Sequence, residues 1–129
     1  MLSNSLLIIK NKLNTKVNFN NIKEEYYYDF FKDKKINDLI NPYNIISERY
    51  FSEEEAKKIF NKFVEEGFFI TVFIVICPEC HEYSKKIYNS CDEIYSSFQC
   101  SRCEFSFFED PNIDFLSKNI RILYRVIEE

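Results

Sequence analysis

Glycine is almost missing from this chain: Gly67 is the only one in 129 residues. That scarcity excludes a Walker-type phosphate loop, a glycine-rich dinucleotide loop and a G-x-S-x-G nucleophile elbow, all of which need backbone without a Cβ. Histidine is as scarce, with His81 alone, so a histidine-based catalytic metal centre is excluded too. Tryptophan is absent and proline occurs three times. No apolar run approaches the ~20 residues a membrane helix needs; the longest, Phe68 to Cys77, is too short and lies mid-chain. Leu6 to Ile9, with no positive charge before it, makes a poor signal-peptide core. The expectation is a soluble, cytoplasmic protein.

What is present in quantity is aromatic and sulfur-bearing: 14 Phe, 9 Tyr and 5 Cys, in a chain that is 46% hydrophobic and 29% charged. Such a chain buries a real core and is not a disordered tail. The abundance of Asn, Ile, Lys, Phe and Tyr matches the product of an A+T-rich genome and carries no chemical information. The net charge is −4. Residues 1–44 are mildly basic, and the remainder is acidic. Nucleic-acid binders draw much of their affinity from a basic stripe, and none is visible beyond Lys10, Lys12 and Lys16 near the start.

Residues 1–20 alternate weakly, lack helix caps and read as an arm or flexible N-terminus. From Asn21 a helix is expected, with Ile22, Tyr26, Phe30 and Phe31 along one stripe. Asn41-Pro42 breaks the chain and starts a short helix running to about Tyr50. The clearest helix follows. Ser52 and Glu55 form a capping box, and Ala56, Ile59, Phe60, Phe63 and Val64 repeat at helical spacing. Gly67 stands where a left-handed stop is wanted. A strand from Phe68 to Ile76 leads into Cys77. Further on, strands are expected near Glu82–Tyr88, Ser97–Cys100, Glu104–Phe108 and Ile120–Ile127, with a turn at Asp110-Pro111-Asn112. No internal repeat is evident. The fold class is therefore α+β: a helical segment over residues 21–76, then a β-rich, cysteine-bearing region over 77–129.

Cys77-Pro78-Glu79-Cys80 and Cys100-Ser101-Arg102-Cys103 are two C-x-x-C turns 19 residues apart. In a reducing compartment, paired cysteines at this spacing read as metal ligands rather than disulfides. Zn²⁺ takes four thiolates in a tetrahedron at ~2.3 Å, and two intervening residues let a tight turn aim both sulfurs inward. Four protein thiolates leave no open coordination position, so the expected role is one structural Zn²⁺ and no catalysis. Cys91 is left over. With His81 and Asp92 it would make a nucleophile, base and orienter, but Asn89-Ser90-Cys91-Asp92 reads as a polar loop with nothing to activate a thiol. His81 and Cys91 are spare ligands at most.

The two C-x-x-C turns resemble the zinc-ribbon family over about residues 70–127. Members often carry glycine after the second cysteine of each turn; here His81 and Glu104 stand there, which weakens the expected turn geometry. The order of short helix, turn, longer helix, Gly67 and strand resembles the helix-turn-helix and first wing strand of a winged-helix domain. Winged-helix-like segments running into a C-P-x-C ribbon and an aromatic last strand resemble small accessory proteins of bacterial multi-gene systems, including anti-phage defence loci. The resemblance implies a non-catalytic adaptor that docks on a larger protein partner, with no small-molecule substrate and no membrane. The other reading is a winged-helix DNA- or RNA-binding regulator. Glu53, Glu54 and Glu55 count against it, because they crowd the end of the helix where base contacts are normally made.

Overall fold

In the computed structural model, residues 3–13, 17, 19–47, 50–106 and 118–128 are described. Lys16 and the turn at 110–112 fall outside them, as does the end of the segment expected at Glu104–Phe108. The chain divides into two units, one of residues Met1–Ile70 with Tyr124–Glu129 and one of Thr71–Leu123. The class is α+β: helices with a small three-stranded sheet.

The first unit is organised by helix α4, Glu53–Glu65. The Ser52 hydroxyl accepts the Glu55 amide and the Glu55 carboxylate accepts the Ser52 amide, so the expected capping box is present. Ala56, Ile59, Phe60 and Phe63 form its buried face. At its end Phe68 N–H bonds to the Phe63 carbonyl and Gly67 N–H to that of Val64, with Gly67 at φ +83°. This is the Schellman pattern, which places its C′ residue in the left-handed region where glycine carries no Cβ penalty.

Residues 3–13 form a helix rather than an extended arm. This α1, Ser3–Leu13, buries Leu6, Ile9 and Leu13, spaced three and four apart. Its basic residues are consumed internally: Lys10 pairs with Glu24 at 2.5 Å and Lys12 with Glu66 at 2.7 Å. Helix α2, Asn21–Phe31, starts on an Asn20 cap. It turns a different face inward from the one expected. Tyr27 and Phe31 are buried, Tyr26 and Phe30 only partly, and Ile22 is 61% exposed. The run of aromatics from Tyr26 made several stripes equally apolar, and the Tyr27 hydroxyl decides among them by donating to the Leu6 carbonyl at 3.1 Å. Burial, with Tyr28 beside it, raises the Tyr27 pKa strongly, so this donor stays protonated.

Strand β1, Leu39–Ile40, is too short to be read from sequence. Helix α3, Tyr43–Ser47, follows, its first amide held by the Asn41 side chain; Tyr50, the expected end, is not helical. Strands β2, Phe69–Val75, and β3, Ile120–Val126, complete a sheet in the order β1-β3-β2. β1 and β3 run antiparallel, with Leu39 opposite Arg125 and Ile40 opposite Tyr124. The core is largely aromatic: Phe63 stacks on Phe69 with centroids 4.3 Å apart, and Phe60 on Tyr124 at 4.6 Å. On β3, Tyr124 and Val126 are buried, whereas Ile122, two residues before Tyr124, is exposed.

In the second unit the expected strands are reduced to isolated bridges, Phe73 with Tyr88, Ile76 with Tyr83 and Gln99 with Ser106. Between them lies a helix the sequence reading lacked, α5, Cys91–Ser97. The Ser90 hydroxyl caps it by accepting the Glu93 amide, an S-x-x-E signal that was available. Cys91 is thus the first residue of a helix and not part of a loop. The core of this unit holds Val75, Cys77, Tyr88, Ile94, Phe98 and Cys100.

Candidate metal centre

Each C-x-x-C turn closes by the same two backbone hydrogen bonds. Cys77 N–H donates to the Glu82 carbonyl and His81 N–H to that of Cys77, both at 2.8 Å. Cys100 N–H donates to the Phe105 carbonyl and Glu104 N–H to that of Cys100, both at 2.9 Å. The flanking bridges, Ile76 with Tyr83 and Gln99 with Ser106, keep the same relation. Residues 76–83 and 99–106 are therefore a structural repeat. Only its cysteines are identical, which is why no repeat was legible in the sequence.

His81 and Glu104 occupy the positions where glycine was expected, and both adopt left-handed backbone, φ 62° and 66°. The turn geometry is intact despite the side chains, at a conformational cost of roughly 1–2 kcal/mol for each residue.

The repeat brings four sulfurs together. Cys77 and Cys103 Sγ are 3.4 Å apart, Cys80 and Cys100 Sγ 3.5 Å, and all four lie within 4.8 Å of one another. A disulfide needs an S–S distance of about 2.05 Å, and all five cysteines are free thiols. A tetrahedron of sulfurs at ~2.3 Å from a central zinc has edges of about 3.8 Å, within the spread observed. The donor set and its spacing thus fit a metal ion of the zinc type. Cys77 and Cys100 are buried, Cys80 is half-buried and Cys103 is exposed, so the cluster reaches the surface on the Cys103 side.

Backbone amides point at the sulfurs, as anionic ligands require. The Cys103 and Arg102 amides donate to the Cys100 sulfur, the Glu82 amide to Cys80 and the Phe105 amide to Cys103. The Cys103 amide foremost, working against burial and joined by the Arg102 amide, pushes the Cys100 thiol down to about 6. Cys103 goes the other way: the Phe105 amide pulls it down, but burial and the Cys77 and Cys100 thiols push it up to about 12. One sulfur in the cluster is held towards thiolate and another towards thiol. Across the two turns the Arg102 guanidinium reaches the Glu82 carboxylate at 2.6 Å.

The four cysteines picked out by spacing, Cys77, Cys80, Cys100 and Cys103, are the ones that converge. His81, Cys91 and Asp92 are exposed and join no cluster. Among the described residues, no other group of three or more His, Cys, Asp or Glu side chains is placed to share an ion. Donation of turn amides to the sulfurs is what a C-x-x-C turn leads one to expect; sequence reasoning missed the Arg102–Glu82 pair, which leaves no composition signal. Among the described residues no helix is long and apolar enough to cross a membrane. No family model, curated protein or solved structure matches this chain.

Proposed function

We propose that this protein is a non-catalytic adaptor: a winged-helix-like frame carrying a zinc ribbon, held by one structural Zn²⁺, that docks on a larger protein. Convergence of the four cysteine sulfurs carries the metal assignment. With Cys77, Cys80, Cys100 and Cys103 all coordinating, zinc has no free position, so it would supply folding energy and not a reactive water. What supports the frame is the chain order α2-β1-α3-α4-β2-α5-β3 with the sheet order β1-β3-β2; the two C-x-x-C turns fall in the chain between β2 and β3, the connection that a wing makes in a winged helix.

The outward charges of α4 favour a protein partner over a nucleic acid. Lys57 pairs with Glu53 and Lys58 with Glu54, each at 3.6 Å, and Lys62 with Glu65 at 3.1 Å. Those lysines are the cations that a recognition helix would offer to phosphate, and each has a carboxylate of its own helix beside it. Exposed pairs of this kind are weak. Their effect is on the potential of the face, which carries no net positive charge to attract DNA. The DNA- or RNA-binding regulator is therefore the second reading. The setting we propose, from the segment order and the C-P-x-C turn, is a bacterial multi-gene system of the anti-phage defence type.

Three measurements test this reading. Elemental analysis of purified protein should give about one zinc per chain. Titration with duplex DNA at two salt concentrations should show little binding at either; tight binding that falls steeply with salt would overturn the adaptor in favour of the regulator. Affinity purification from the native host should return one stoichiometric protein partner.

A further inference from the structure

A cavity of about 280 Å³ lies within the second unit, between the chain that follows the first C-x-x-C turn and the segment leading from α5 into the second. Tyr88 and Phe98, both buried, line it with their rings edge to face at 6.4 Å. Its charges are mostly compensated. Glu82 is held by Arg102 at 2.6 Å, and Lys86 by Glu93 at 3.2 Å. Lys85 is the cation left over: exposed, lining the cavity, and without a carboxylate among the described residues. Beside it, the Gln99 carboxamide and Ser101 hydroxyl also line the cavity and are exposed.

We propose that this cavity binds the carboxyl terminus of a partner polypeptide. A single uncompensated ammonium matches a monoanion, whereas a phosphate monoester brings nearly two charges and usually meets a cluster of cations. The Gln99 amide and Ser101 hydroxyl add neutral donors for the second carboxylate oxygen. The aromatic walls call for an apolar group next to the charge. A chain terminus carries its carboxylate and its last side chain on one carbon, so both fit a cavity just below the ~300–1,000 Å³ usual for small-molecule sites. The inference deepens the adaptor reading by naming what the partner presents, and the two fail separately. Carboxylate binding is read with purified compounds, and the adaptor role by the recovered complex.

The test is titration of the full-length, zinc-loaded, ¹⁵N-labelled protein, following the amide resonances of Lys85, Gln99 and Ser101. The probes are a tripeptide ending in phenylalanine with a free carboxylate, the same peptide as its C-terminal amide, phenylacetate and inorganic phosphate. Saturable shifts with the free-carboxylate peptide are expected, at least about tenfold weaker for the amide, as befits loss of a charged hydrogen bond. Lys85→Gln should weaken peptide binding about tenfold, and Lys85→Arg should restore it to within about twofold. Because Lys85 is exposed and holds no other described group, these variants fold, and an unchanged spectrum elsewhere checks that. Equal binding of acid and amide overturns the proposal, as does indifference to Lys85→Gln. Phosphate binding tighter than the peptide also overturns it, and phenylacetate binding as tightly as the peptide overturns the polypeptide source.

Discussion

Replacing His81 and Glu104 by glycine should tighten metal binding, although neither residue is a ligand. Both hold left-handed backbone, φ 62° and 66°, and both side chains are exposed. A residue with a Cβ spends roughly 1–2 kcal/mol in that region. Glycine removes this cost but adds about 0.5–1 kcal/mol of unfolded-chain entropy. The net gain is about 0.5–1 kcal/mol at each position, or about 1–2 kcal/mol for the double variant. The unfolded chain has no preformed site, so a more favourable folded turn is read as metal affinity. At 1.4 kcal/mol per factor of ten, His81→Gly with Glu104→Gly should bind zinc roughly 5- to 30-fold more tightly, measured by competition with a chelator at fixed pH. The alanine pair, His81→Ala with Glu104→Ala, is the control: it removes the same side chains and keeps the strained backbone. Equal affinity for the glycine and alanine pairs would refute the reasoning. Gly67 supplies the converse. Its added Cβ meets nothing within 4 Å, so Gly67→Ala should cost only the conformational penalty, about 1 kcal/mol or about 4 °C in Tm.

Other outcomes follow from the same structure. Phe63→Ala, at a fully buried ring stacked on Phe69 at 4.3 Å, should destabilise the chain by about 3–5 kcal/mol in urea unfolding, a large share of a small protein's stability. Cys77→Ser should lower bound zinc well below one per chain, whereas Cys91→Ser, at an exposed residue outside the cluster, should leave stoichiometry and Tm unchanged. For Glu55, burial raises the carboxyl pKa, but the Ser52 amide and Lys23 ammonium outweigh it and hold the pKa below its ordinary value. A lowered folded pKa stabilises above the unfolded value and ceases to as pH falls through the folded one. Glu55→Gln should therefore cost about 1 kcal/mol at neutral pH and show a shallower loss of stability below about pH 4.5 than the unaltered protein, in denaturant melts across pH.

Legibility in the sequence followed the strength of the local signals. Helix α4 was readable at both ends because its capping box and Gly67 act within a few residues of backbone. The four clustered cysteines were readable because C-x-x-C turns are local too, and the cluster is built from two copies of one turn. Helix α1 was not readable, since its stability comes from burial of Leu6, Ile9 and Leu13 and from pairs with distant Glu24 and Glu66. The face of α2 was misjudged for a related reason. In a stretch where Tyr26, Tyr27, Tyr28, Phe30 and Phe31 are all aromatic, periodicity cannot choose, and the partner of the Tyr27 hydroxyl lies on another helix. The left-handed backbone at His81 and Glu104 was underestimated because the demands of the turn outweigh residue preference there.

The connection between β2 and β3 spans residues 76–119, 44 residues that include both cysteine turns. The strands it joins are hydrogen-bonded neighbours. Closing so long a loop costs entropy that grows with the logarithm of its length. A metal ion shared by Cys77, Cys80, Cys100 and Cys103 would remove much of that freedom. A metal held by the two turns would thus govern how readily β3, with Tyr124 and Val126, joins the core of the first unit.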